Sequence, residues 1–248
     1  MASAVRSIPD PDAMLCEYCG YILTGLPEGS RCPECGKPTA DSIALDSRRR
    51  PEWELHPSFR SWARTCKAVW LHPGRFARQM TSRTGDTRSR WFARLSWAMA
   101  AIWFSVAVWQ HLKWVEGRPI VTPQLPGWVY MGYAVVGMFL PLWIYLLLAM
   151  IQLMAVGLTV WEAGYRGLRL PRIAVTRGMH YHAAHYIPVS LAGAMLVVGF
   201  QFALRHNLLG PSGDLIYIGA LSGFVIVAAG YLFFTYWAIM RNLLYANY

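Results

Sequence analysis

The sequence predicts an α-helical integral membrane protein with four transmembrane helices and a small N-terminal β-hairpin head. Three observations carry that prediction. The 248 residues are 55% hydrophobic and only 15% charged, whereas soluble domains carry about 25% charged residues. Four apolar runs each reach the length that crosses a bilayer. Ahead of them, four of the five cysteines fall into two CxxC pairs.

The head comes first. Residues 1–14 hold Pro9, Asp10, Pro11 and Asp12 and read as a flexible lead. Met1 to Ala13 lacks the apolar core of about 7–15 residues that a cleavable signal peptide needs, so the first hydrophobic span is expected to target the chain. Cys16-Glu17-Tyr18-Cys19-Gly20 and Cys32-Pro33-Glu34-Cys35-Gly36 are separated by the 12 residues from Gly20 to Arg31. That spacing brings four thiolates to the corners of a tetrahedron, the geometry of a closed structural Zn site. Gly20 and Gly36 supply the positive φ that each turn requires. Between the turns, Tyr21, Leu23 and Leu26 alternate with small or polar residues, which suits a short β-hairpin with its loop at Pro27-Glu28-Gly29-Ser30. The span 15–37 is too short to bury a core, so its fold is expected to depend on the metal, worth about 10 kcal/mol or more in small zinc modules. Iron is the chemical competitor in a four-sulfur cage.

A polar linker, 38–56, follows with the triplet Arg48-Arg49-Arg50. From Pro57 the apolar residues Phe59, Trp62, Ala63, Cys66, Val69 and Trp70 recur at helical spacing, with Arg60, Arg64 and Lys67 on the other face. This predicts an amphipathic helix that lies on an anionic leaflet or packs against the membrane domain. The segment 57–90 continues as a second short helix and a basic loop. The membrane domain, 91–248, has spans at about 95–115, 127–161, 186–204 and 215–240. Pro141 inside the second leaves two forms open, one long kinked span or a re-entrant pair.

Charge sets the expected orientation. Twelve basic residues lie between Ser47 and Arg94, and Arg166, Arg169, Arg172 and Arg177 lie in the loop 162–185, leaving only Lys113, Arg118 and Arg205 for the opposite side. The positive-inside rule then places both basic segments and both termini in the cytoplasm, at the inner membrane. Thiols stay reduced there, which favours zinc over disulfides.

The remaining features point away from chemistry. No Asp, Glu, Lys or Arg lies in the interior of a span, where Gln152 and Gln201 are strongly polar; ionisable intramembrane residues mark ion pathways, so a coupled transporter is disfavoured. No hydrolase motif is present, no catalytic residue is assigned, and the protein is read as non-enzymatic. His180, His182 and His185 resemble a second metal site, but no carboxylate or cysteine lies nearby in sequence to complete one. Cys66 reads as an apolar filler, with lipid attachment as the alternative. Gly219 and Gly223 form a GxxxG that permits close helix approach within the chain or between copies. The head is mildly acidic, Arg31 and Lys37 facing Glu17, Glu28 and Glu34, so a protein contact is expected rather than nucleic acid.

Two resemblances rest on these residues. The head, Cys19-Gly20-Tyr21 with Leu23, Gly25 and Leu26, then Cys32-Pro33-Glu34-Cys35-Gly36, resembles the zinc-ribbon heads of uncharacterised bacterial membrane proteins, which implies one Zn ion on Cys16, Cys19, Cys32 and Cys35. The remainder resembles the Yip1 family in Trp70-Leu71-His72-Pro73-Gly74-Arg75-Phe76, the span order, the basic loop and Tyr186-Ile187-Pro188. That resemblance implies a non-enzymatic membrane protein, associated in eukaryotes with vesicle trafficking. The expected function is a scaffold or binding protein with a cytoplasmic zinc ribbon. A small-molecule permease or its accessory subunit, with the Pro141 span lining a path, and a membrane-tethered nucleic-acid binder using Arg48 to Arg50 are the alternatives.

Overall fold

The structure, a computed structural model, describes residues 13–27, 29–43, 48–81, 87–116, 127–168 and 170–246. Residues 1–12 of the expected flexible lead 1–14, Glu28 of the hairpin loop, part of the linker, Arg83, Arg118 and Arg169 lie outside the described residues. The chain is helical: α1 (Ala40–Ile43), α2 (Glu52–Leu55), α3 (Phe59–Leu71), α4 (Pro73–Gln79), α5 (Thr87–Glu116), α6 (Gly127–Tyr165), α7 (Arg172–His182), a 3-10 turn (Ala183–His185), α8 (Tyr186–Arg205) and α9 (Gly213–Leu243). Four helical segments are long and apolar enough to cross a membrane, Thr87–Val115, Gly137–Tyr165, Arg172–Arg205 and Gly213–Leu243. Their outward positions carry large apolar side chains such as Leu146, Leu153, Ile226 and Phe233, all exposed. Water would penalise such surfaces and hydrocarbon does not.

Pro141 lies inside α6, which is a single helix and not a re-entrant pair. The third span also differs from expectation. Residues 172–182, read as part of a basic loop, form a helix that leads through the 3-10 turn into α8. Its helical character was hidden because Arg172, Arg177, His180 and His182 give this stretch the polar composition of a loop. Among the described residues no strand is formed. Instead of a hairpin, two isolated antiparallel bridges, Leu15↔Ile22 and Arg31↔Pro38, each close over one cysteine turn.

The chain forms two compact units. One comprises Met1–Ala93, Gln152–His182 and Phe234–Tyr248, and the other Arg94–Ile151 and Ala183–Phe233. In the first unit α3 packs against α2, α4 and α7. A capping box at Ser58 starts α3: its hydroxyl accepts from the Ser61 N–H at 3.2 Å, and Ser61 Oγ accepts from the Ser58 N–H at 3.0 Å. The buried face of α3 is Ser61, Trp62, Thr65, Cys66 and Val69.

Helix α7 is the centre of this unit, with Val175, Arg177, Met179 and Tyr181 almost fully buried. Arg177 Nη2 donates to Glu54 Oε1 at 2.7 Å, and its Nε donates to the Thr81 carbonyl at 3.1 Å. The Tyr181 hydroxyl donates to the same Glu54 oxygen at 2.5 Å. A charge this deep is tolerable only when paired and hydrogen-bonded, and these bonds supply the pairing. The rings of Phe76 and Phe92 flank Tyr181 at 5.0 and 4.9 Å. On another face, Gly178 admits α9: a Cβ there would sit 2.7 Å from Leu243 Cδ1 and 3.0 Å from Met240 Cε. Gly178→Val should therefore overpack a buried contact and cost about 1–3 kcal/mol, read as a lower thermal midpoint in detergent.

In the second unit Trp109 lies across Gly137, Trp97 meets Tyr145 edge-on at 5.8 Å, and His111 Nδ1 pairs with the Tyr217 hydroxyl at 2.7 Å. Gln201, one of the two polar residues noted within spans, donates its amide to the Gln110 carbonyl at 2.6 Å. Gly219 and Gly223 face open space, since a Cβ at either would meet no atom within 4 Å.

Candidate metal centre

Each cysteine turn is closed by the same pair of backbone bonds. In the first, Gly20 N–H donates to the Cys16 carbonyl and Cys16 N–H to the Tyr21 carbonyl, both at 2.8 Å; in the second, Gly36 N–H donates to Cys32 at 2.9 Å and Cys32 N–H to Lys37 at 2.8 Å. Gly20 and Gly36 have φ of 82° and 70°, the left-handed conformation expected of them. Leu23 is buried with Cys16 and Cys32, and Met14, Cys19, Tyr21 and Leu26 pack around them. Tyr21, Leu23 and Leu26, expected to form a hairpin, instead gather over the two turns.

The two turns face each other. Cys16 Sγ lies 3.5 Å from Cys35 Sγ, Cys19 Sγ lies 3.5 Å from Cys32 Sγ, and the four sulfurs are all within 4.8 Å of one another. A tetrahedron with metal–sulfur bonds of about 2.3 Å has edges of about 3.8 Å. The four cysteines can therefore hold one metal ion. Burial raises the Cys32 thiol, but the N–H groups of Cys35 and Glu34 aimed at its sulfur, with the neighbouring thiols, outweigh this and bring it down to about 7. Burial and the neighbouring thiols push Cys19 up. A cation held by Cys16, Cys19, Cys32 and Cys35 would take all four as thiolates.

The head is also fixed in place. Glu17, inside the first turn, accepts from Arg48 Nε at 2.8 Å and Nη2 at 3.0 Å, both side chains being largely buried. Arg48 Nη1 donates onward to the carbonyls of Ala77 and Met80, each at 3.2 Å, at the end of α4. The Tyr245 ring lies against Gly20, where a Cβ would approach it to 2.6 Å. Arg78 crosses the Tyr18 ring at 5.1 Å and donates through Nη2 to Asn242 Oδ1 at 2.9 Å. Sequence reasoning missed this clamp because Arg48 stood in a basic triplet, and only the fold brings Glu17 within its reach. Arg48 is consequently committed to the protein, leaving Arg49 and Arg50 exposed.

The histidines are not brought into a metal site. His180 Nδ1 meets Ser89 Oγ at 2.9 Å, His182 Nε2 meets Thr235 Oγ1 at 3.1 Å, and His185 Nδ1 meets the Tyr231 hydroxyl at 2.7 Å. Among the described residues the four cysteines are the one cluster of three or more metal-ligating side chains.

Cys66 is buried, and burial pushes its thiol from 9.0 to about 12. It is shielded from lipid attachment while α3 is packed. A thiol held neutral by the fold keeps its full contribution below pH 9.0, where the unfolded thiol is neutral too, and loses it as pH climbs toward 12. Wild type should lose more stability than Cys66→Ala as pH is raised above 9.0, measured as denaturation midpoints of both proteins in one detergent. Equal slopes would show that Cys66 is not held neutral.

No protein-family model, curated protein or solved structure matches the chain.

Proposed function

We propose that this is a non-enzymatic, multi-span membrane protein in which one Zn2+ ion on Cys16, Cys19, Cys32 and Cys35 holds a zinc ribbon as an interaction and organising module. The observation that carries the reading is the four-sulfur cluster with its Arg48–Glu17 clamp. The metal orders the turn that carries Glu17, and Glu17 holds Arg48 on the end of α4. Zinc is preferred over iron because it is the usual ion of closed structural four-cysteine sites. The Yip1 resemblance adds no chemistry to this reading and is not needed for it.

Both termini are assigned to the cytoplasm. The assignment rests on the count of Lys and Arg in the segments that flank the spans, chiefly the basic residues between Arg48 and Arg94. A fluorescent-protein fusion at the C-terminus should fluoresce, and a phosphatase fusion there should be silent; the reverse pair of results contradicts the orientation. A protein partner recognised through the exposed Tyr18 and Ile22 of the head is part of the proposal. Affinity capture from membranes with wild type and with Cys16→Ser, Cys19→Ser protein tests it. A partner lost only from the variant supports recognition through the head, and identical partner lists leave the ribbon with its organising role alone.

The two alternatives fare less well. Commitment of Arg48 to Glu17 removes one cation from the triplet that a nucleic-acid binder would use. A cleft of about 590 Å3 beside Pro141 is lined mainly by apolar side chains such as Ile102, Val106, Trp109 and Leu140, with Ser105 and Gln110 as its polar members, and offers a polar solute few partners.

A further inference from the structure

Helix α3 carries more apolar residues than it buries. Its inward sector takes Ser61, Trp62, Thr65, Cys66 and Val69, yet Phe59 is 75% exposed and Leu71 60% exposed, with Ala63 and Trp70 also on the outside. At about 100° per residue, Phe59, Trp70 and Ala63 fall within about 40° of one another, and Lys67, Arg60 and Arg64 follow over roughly the next 100°. Packing therefore splits the apolar stripe into a buried half and an outer half. The outer half runs beside three cations, of which Arg64 is paired with Glu52 at 2.6 Å. Arg60 and Lys67 extend that edge and are exposed.

We infer that this outer face of α3 is a docking surface for an anionic phospholipid bilayer, with Phe59, Ala63 and Trp70 entering the interface and Arg60 and Lys67 meeting lipid phosphates. Three features select lipid over a protein groove. The apolar strip is narrow, runs along the helix from Phe59 through Ala63 to Trp70, and carries an aromatic ring at each end. The cations sit beside the strip, so their stems cover apolar surface while their charges reach the headgroups. The chain also brings its own membrane: α5, long enough to cross one, begins at Thr87, shortly after α3 and α4. This inference does not depend on the metal or on a partner for the head.

The test uses the full chain reconstituted in vesicles of phosphatidylcholine with phosphatidylglycerol as a minor component. The photoreactive p-benzoylphenylalanine is placed at position 59, and separately at position 68, an exposed site on the opposite side of α3. Lipid adducts are counted by mass spectrometry. The expected result is adducts at position 59 well in excess of those at 68, with phosphatidylglycerol enriched among them. Arg60→Gln with Lys67→Gln should reduce that enrichment about tenfold, since each cation at an anionic surface contributes several-fold to attraction. Circular dichroism and metal content confirm that each variant is folded. Equal yields at both positions, adducts to protein alone, or enrichment unchanged by loss of the two charges would overturn the inference.

Discussion

Removing the metal should unlock the head and the end of α4 together while leaving the long helices intact. With a strong zinc chelator, or in Cys16→Ser with Cys32→Ser, hydrogen exchange is expected to accelerate by several orders of magnitude across residues 14–42. The cause is that the head buries little beyond Leu15, Leu23 and its cysteines, whereas binding of a structural zinc is worth about 10 kcal/mol or more. The effect should then travel. Once the first turn melts, Glu17 no longer faces Arg48, and the guanidinium that binds the Ala77 and Met80 carbonyls is left without its carboxylate. Exchange at residues 77–81 should rise as well. Arg48→Ala separates the two effects: it should raise exchange at 77–81 with the metal still bound. Protection at 77–81 that survives both treatments would show that the clamp transmits nothing.

The second large effect lies at the buried ion pair. Arg177→Met leaves the Glu54 carboxylate buried without its cation, the Tyr181 hydroxyl still donating to it, and should cost about 3–5 kcal/mol. Tyr181→Phe removes one hydrogen bond to a charged group and should cost about 1.5–3 kcal/mol. The double variant Glu54→Leu, Arg177→Met removes both charges and should recover most of the loss, because the penalty of the single variant comes chiefly from stranding a charge. Denaturation midpoints in one detergent, compared across the cycle, decide the matter. A double variant as unstable as Arg177→Met would mean that the pair acts through packing.

These two sites show where the sequence was readable. The apolar runs and the CxxCG turns are local patterns: span length, cysteine spacing and the glycine after each turn lie within a few dozen residues. The presence of four apolar spans and the convergence of Cys16, Cys19, Cys32 and Cys35 were legible for that reason. Glu54 and Arg177 stand 123 residues apart, and Arg48 and Glu17 stand 31 apart. Each looked like a solvated linker or loop charge because no local pattern names its partner. Arg177 misled in a second way, since its charge also disguised α7 as a loop. The expected hairpin failed for a different reason. Apolar alternation at Tyr21, Leu23 and Leu26 reports burial, and burial in a small head can be met by turns around sulfur as readily as by strands.

Everything assigned to the head rests on one ion in the four-cysteine cluster. The direct measurement is the metal content of the purified full chain by elemental analysis, alongside the same chain with Cys16→Ser and Cys35→Ser. The account predicts one zinc per chain in wild type and none retained by the variant after dialysis. Stoichiometric iron, or wild-type protein that is metal-free yet keeps full exchange protection across residues 14–42, would contradict it.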